Sequence, residues 1–88
     1  MITPAKISAA VKRVIAAAAA TTPSNIRHDS KLSELGFSVS EKQELAAPLN
    51  QEMNRIGYPP PMELHPRHTE IAKTVGNIVS MYRFIYEV

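Results

Sequence analysis

Cysteine is absent from this 88-residue chain, which excludes a disulfide framework, a thiolate metal site and a cysteine nucleophile. Glycine occurs three times, at Gly36, Gly57 and Gly76, too few and too scattered for a phosphate-cradling loop. No run of 18 apolar residues exists, so no segment reads as a membrane-spanning helix. Acidic residues are missing from positions 1–28, which carry Lys6, Lys12, Arg13 and Arg27 for a charge of +4. Residues 29–88 hold six Lys/Arg against eight Asp/Glu, a charge of −2.

That acid-free start has some character of a targeting segment. The stretch from Val14 to Ala20 is mostly alanine, however, and too weakly apolar for a secretory core. It reads better as the basic first helix of a single cytoplasmic domain spanning 1–88. Nucleic acid is not the expected partner, because Tyr58, Tyr82 and Tyr86 are not interleaved with a basic cluster. With 44% hydrophobic residues, the chain has enough apolar content for a small core.

The hydrophobic pattern is helical. Thr3 followed by Pro4 is a capping residue before a proline at the first helical position. Ile7, Val11, Val14, Ile15 and Ala18 then form one stripe. Residues 23–37 are a long connection, yet Ile26, Leu32, Leu35 and Phe37 would be wasted in water, so this loop should pack on the core with one helical turn near 30–34. Ser38-Val39-Ser40-Glu41 reads as a capping box opening a second helix, with Leu45, Leu49, Met53 and Ile56 as its stripe. Pro48 inside that pattern should kink it, and Gly57 should stop it. Residues 58–68, with Pro59, Pro60 and Pro61, suggest an extended crossover with Met62 and Leu64 turned inward. Ile71, Val75, Ile78, Tyr82 and Ile85, broadened by Val79 and Phe84, predict a last helix over about 69–86. No strand is expected.

Chemistry has few places to reside. His65 and His68 have a spacing that could share a metal with Glu63 or Glu70, but Pro66 between them favours plain solvated loop residues. The serines, histidines and acids do not read as a catalytic triad, so the chain is not expected to be an enzyme. The start of the second helix is the most suggestive location. Free amides there seat anions, and Ser38 and Ser40 stand directly after a glycine turn.

These features come in an order that resembles the acyl carrier protein family. The carrying residues are Asp29-Ser30-Lys31-Leu32-Ser33-Glu34-Leu35-Gly36, Glu44-Leu45 with Leu49 through Met53, and Thr74-Val75-Gly76-Asn77-Ile78. The resemblance implies an all-α bundle of three to four helices with long structured loops. In such carriers Leu-Gly is followed by one residue and then Asp-Ser-Leu, whose serine receives 4′-phosphopantetheine. Here the same positions hold Ser38-Val39-Ser40, and valine cannot carry the arm. Two readings follow. In the first, the chain is a non-enzymatic binding module without a cofactor. It would meet a protein partner, such as a synthase or assembly component, through Phe37, Val39, Lys42 and Tyr58. In the second, it is a divergent carrier with the phosphopantetheine arm on Ser38, or alternatively Ser40.

Overall fold

The computed structural model describes residues 1–88 and is all-helical. Five helices follow in order: α1 (Pro4–Ala18), α2 (Val39–Glu44), α3 (Ala46–Arg55), α4 (Pro66–Ile71) and α5 (Val75–Tyr86), with a single 3₁₀ turn at Pro23–Asn25. None is long and apolar enough to cross a membrane.

α1 starts as its sequence dictates, with the Thr3 hydroxyl accepting from the Lys6 amide at 3.2 Å and Pro4 in the first turn. Ile7, Val11 and Ile15 are fully buried, whereas Ala18, expected on the same stripe, is exposed. The reason is the helix end. Ala20 turns left-handed at φ 55°, and the Ala20 and Thr21 amides fold back to the Ala17 and Ala16 carbonyls, a Schellman closure usually entrusted to glycine.

The loop after α1 is tied to the far end of the chain. The Leu32 amide donates to the Lys73 carbonyl at 3.0 Å, that of Val75 to Ser30 at 3.0 Å, and that of Gly76 to His28 at 2.8 Å. Gly76 permits this crossing, because a Cβ there would lie 2.9 Å from the His28 carbonyl oxygen. Ile26 and Leu32 are buried, and Leu35 and Phe37 are half-buried against the core. Residues 31–36 form the expected single turn, closed at Gly36 (φ 94°) by amide bonds from Gly36 to Ser33 and from Phe37 to Leu32.

Pro48 acts as its chemistry requires. It has no N–H for the Glu44 carbonyl, and its ring would press on that carbonyl. The helix therefore breaks at Leu45, whose amide reaches only three residues back to Lys42, and resumes with Leu49 donating to Leu45. Gly57 (φ 91°) then ends α3 in another Schellman turn.

The last helix departs from expectation. Instead of one helix over 69–86 there are two, separated at Ala72–Thr74. Thr74 caps α5 by accepting from the Asn77 amide, and the Asn77 side-chain oxygen accepts from the Lys73 and Thr74 amides. This reciprocal cap starts a helix at a point where the periodicity continues unbroken, and it frees the Lys73 carbonyl for the Leu32 amide. Ile71 consequently falls outside the core and is 66% exposed. α4 also begins earlier than expected, within the segment read as extended crossover. His65 supplies the cap by accepting the Arg67 amide at its Nδ1, and His68 Nδ1 accepts the His65 amide.

Two further apolar residues are not where the pattern put them. Met62 is 56% and Phe84 80% exposed. The inward residue of the crossover is Leu64, held by a side chain whose role the sequence did not reveal. Buried Asn50 donates to the Leu64 carbonyl at 2.9 Å and accepts the Leu64 amide at 3.0 Å. The same Asn50 oxygen accepts from the Tyr82 hydroxyl at 2.7 Å. Burial pushes the Tyr82 phenol well above its ordinary range, aided by the neighbouring Tyr86 and Glu63 charges.

Candidate functional site

The site begins at the turn that delivers the chain to α2. Gly36 reverses the backbone, half-buried Phe37 anchors it to the core, and Ser38 opens the helix in extended geometry (φ −74°, ψ 172°). The capping box is complete: the Ser38 hydroxyl accepts the Glu41 amide at 3.2 Å, and a Glu41 carboxylate oxygen accepts the Ser38 amide at 2.9 Å. The bond from the Ser38 backbone amide, with the nearby Ser38 side chain, holds the Glu41 carboxyl below its usual range.

Val39 is the first helical residue, and it is 62% exposed. An aliphatic side chain at that position contributes nothing to the core. Ser40 is exposed beside it, with its hydroxyl 3.3 Å from that of Ser38. Lys42 is half-buried on the next turn. One turn on from Val39, Gln43 donates to Glu70 at 2.6 Å and clamps α2 to α4, so the exposed end is held on a fixed support.

Phe37, Ser38, Val39, Ser40 and Lys42 are thus gathered within about one helical turn. Tyr58 is not among them. It follows the end of α3, the helix after the one that Val39 opens. There it meets α1: Lys6 Nζ donates to its hydroxyl at 3.2 Å and lies 5.3 Å from its ring centre, and its carbonyl accepts the Tyr86 hydroxyl at 2.6 Å. Tyr58 is a brace between chain ends rather than part of a surface shared with Val39.

None of the three histidines hydrogen-bonds to Ser38 or Ser40. His28 Nε2 is 2.7 Å from the Ser8 hydroxyl, but Ser8 sits within α1, where the surrounding amides are committed to helical bonds. The nearest acid in sequence, Asp29, pairs instead with Arg27 at 3.5 Å. The His28–Ser8 contact fastens the loop to α1. His65 and His68 spend their Nδ1 atoms on the α4 cap, so the pair expected to be plain solvated residues has a structural task.

Electrostatically, the strongest feature is elsewhere. Glu52, 13% exposed, receives Arg55 at 2.7 Å and Arg13 at 2.9 Å. The Arg55 guanidinium, joined by that of Arg13, holds its carboxyl down to about 2 against the opposing effect of burial. The pair joins α1 to α3. Three of the four basic residues of positions 1–28 are engaged separately: Lys6 with Tyr58, Arg13 with Glu52 and Arg27 with Asp29.

The fold and this site define a small all-helical bundle with an exposed aliphatic residue at the start of its second helix. No protein-family model, curated protein or solved structure matches the chain.

Proposed function

We propose that this chain is a carrier-like binding module that works without a prosthetic group, meeting a protein partner through the start of α2. The observation that carries the reading is Val39: aliphatic, 62% exposed and first in its helix, where the resemblance to acyl carrier proteins puts a hydroxyl. The element order supports it as well. A first helix, a long pinned loop, a bent second helix, a short helix and a last helix entered through Thr74-Val75-Gly76 match what that resemblance implies. The partner, a synthase or assembly component in the cytoplasm, would meet Phe37, Val39 and Lys42. Tyr58 is left out because it braces the other end. An exposed valine on a clamped support suits an apolar spot on such a partner.

The divergent-carrier reading keeps one observation in its favour: Ser40 is exposed and its hydroxyl is engaged only with that of Ser38. Intact-mass spectrometry after co-expression with several phosphopantetheinyl transferases separates the two. The binding-module reading expects the unmodified mass in every case. A pantetheine adduct mapping to Ser38 or Ser40 refutes it and establishes the carrier.

A further inference from the structure

We infer that the surface around Phe84 is the contact face for a second copy of this chain, making a weak two-fold dimer. The inference shares no residue with the α2 start and does not depend on the preceding functional reading.

Phe84 is 80% and Met62 56% exposed, on adjacent parts of one surface. Together with Ile85 they form a ridge between two depressions. On one side lies a groove of 230 Å³ completed by Leu64, Met81 and His68, almost wholly apolar. On the other lies an open hollow bordered by Ser80, Arg83, Glu87 and Val88. The groove falls below the roughly 300–1,000 Å³ of a small-molecule site, and is closer in scale to a side chain. A ridge beside a groove of side-chain size is self-complementary about a two-fold axis, since each copy can seat its Phe84 in the groove of the other.

Charge points the same way. Two ionic residues of opposite sign, Arg83 and Glu87, border the hollow. A uniformly acidic or basic partner would meet like charge at one of them, whereas a two-fold can set Arg83 of one copy against Glu87 of the other. The area fixes the strength. A fully exposed aromatic side chain presents about 150–250 Å², and Phe84 with Met62, Met81, Ile85 and Val88 offers roughly 400–500 Å² per copy. Stable interfaces bury about 800 Å² per partner, so the dimer should be weak and rapidly exchanging, with Kd between about 10 µM and 1 mM.

Sedimentation equilibrium on the full chain from about 10 µM to 1 mM tests this range. The expected result is a mass rising from 9.7 kDa toward twice that value, with F84D raising Kd at least ~10-fold while far-UV circular dichroism and melting stay unchanged. Because no native cysteine competes, S80C provides a second readout one helical turn away. It should form disulfide-linked dimers faster than S24C, placed on the turn after α1. A chain that stays monomeric at the highest concentration overturns the proposal, whatever else that face takes up. So does F84D association equal to wild type, or equal crosslinking of the two cysteine variants.

Discussion

Replacing Asn50 by alanine should nearly unfold this protein. Asn50 is 6% exposed and has three bonds to groups that have no other partner in sight: the Leu64 carbonyl at 2.9 Å, the Leu64 amide at 3.0 Å and the Tyr82 hydroxyl at 2.7 Å. N50A strands all three. Each buried orphan costs about 1–3 kcal/mol, and water entering the vacated space would recover part of that, leaving a loss of about 3–5 kcal/mol. A domain of this size has on the order of 5 kcal/mol in total. Y82F removes one donor and leaves the Asn50 oxygen its bond from Leu64, so its loss should be only about 1 kcal/mol, a melting shift of roughly 4–8 °C. Urea unfolding followed by far-UV circular dichroism, run on both variants and the N50A/Y82F double mutant, measures the terms and their coupling. The double mutant should lose less than the sum, since in it no Tyr82 hydroxyl is left stranded. An N50A loss below about 1 kcal/mol, or one equal to that of Y82F, would refute the claim that this side chain holds the crossover to the core.

Three other perturbations test separate parts of the fold by the same unfolding assay. A20G should stabilise by about 0.5–1 kcal/mol, because glycine adopts the left-handed turn that alanine holds at φ 55° under strain; a loss of stability would contradict the helix-end geometry. G76A should destabilise by about 1–3 kcal/mol, since its methyl would press on the His28 carbonyl oxygen; an unchanged midpoint would show that the loop crossing is not tight. Acidification should unfold the chain partly through Glu52: its carboxyl titrates near 4.5 when unfolded and about 2 when folded, so its contribution is complete above 4.5 and is lost as pH falls through that interval. With its arginine partners largely solvated, the contribution is on the order of 1–2 kcal/mol; E52Q should flatten the stability slope below pH 4.5, and an unaltered slope would reject this assignment.

Local chemistry made much of this fold legible from sequence. Thr3 with Pro4, Ser38 with Glu41, Gly36, Gly57 and Pro48 each act over a few residues, and each behaves as its side chain dictates. The anchors Ile26 and Leu32 were readable because a buried loop needs apolar pegs. What failed was pattern without chemistry. The spacing from Ile71 through Ile85 runs smoothly across a break that Thr74 and Asn77 impose with side-chain bonds; the carrier-like Thr74-Val75-Gly76 marked a helix entry there, which the periodicity alone hid. Asn50 was hidden for a related reason: a polar residue among helical neighbours looks solvent-facing until the crossover folds over it. At the candidate site, the sequence located Phe37, Ser38, Val39, Ser40 and Lys42 together because they are contiguous. Tyr58 was grouped with them, but its hydroxyl and carbonyl are engaged with Lys6 and Tyr86, partners that the local pattern does not reveal.

The most direct test of the central claim is to rebuild the missing motif. Carriers need Asp-Ser-Leu at the start of this helix, and S38D/V39S/S40L supplies it while keeping a residue able to cap. Co-expressed with a phosphopantetheinyl transferase and weighed intact, the triple variant should gain the pantetheine arm while the native chain does not. A native chain that carries the arm, or a folded triple variant that never acquires it, would contradict the view that this scaffold is a carrier whose attachment point has become an aliphatic contact.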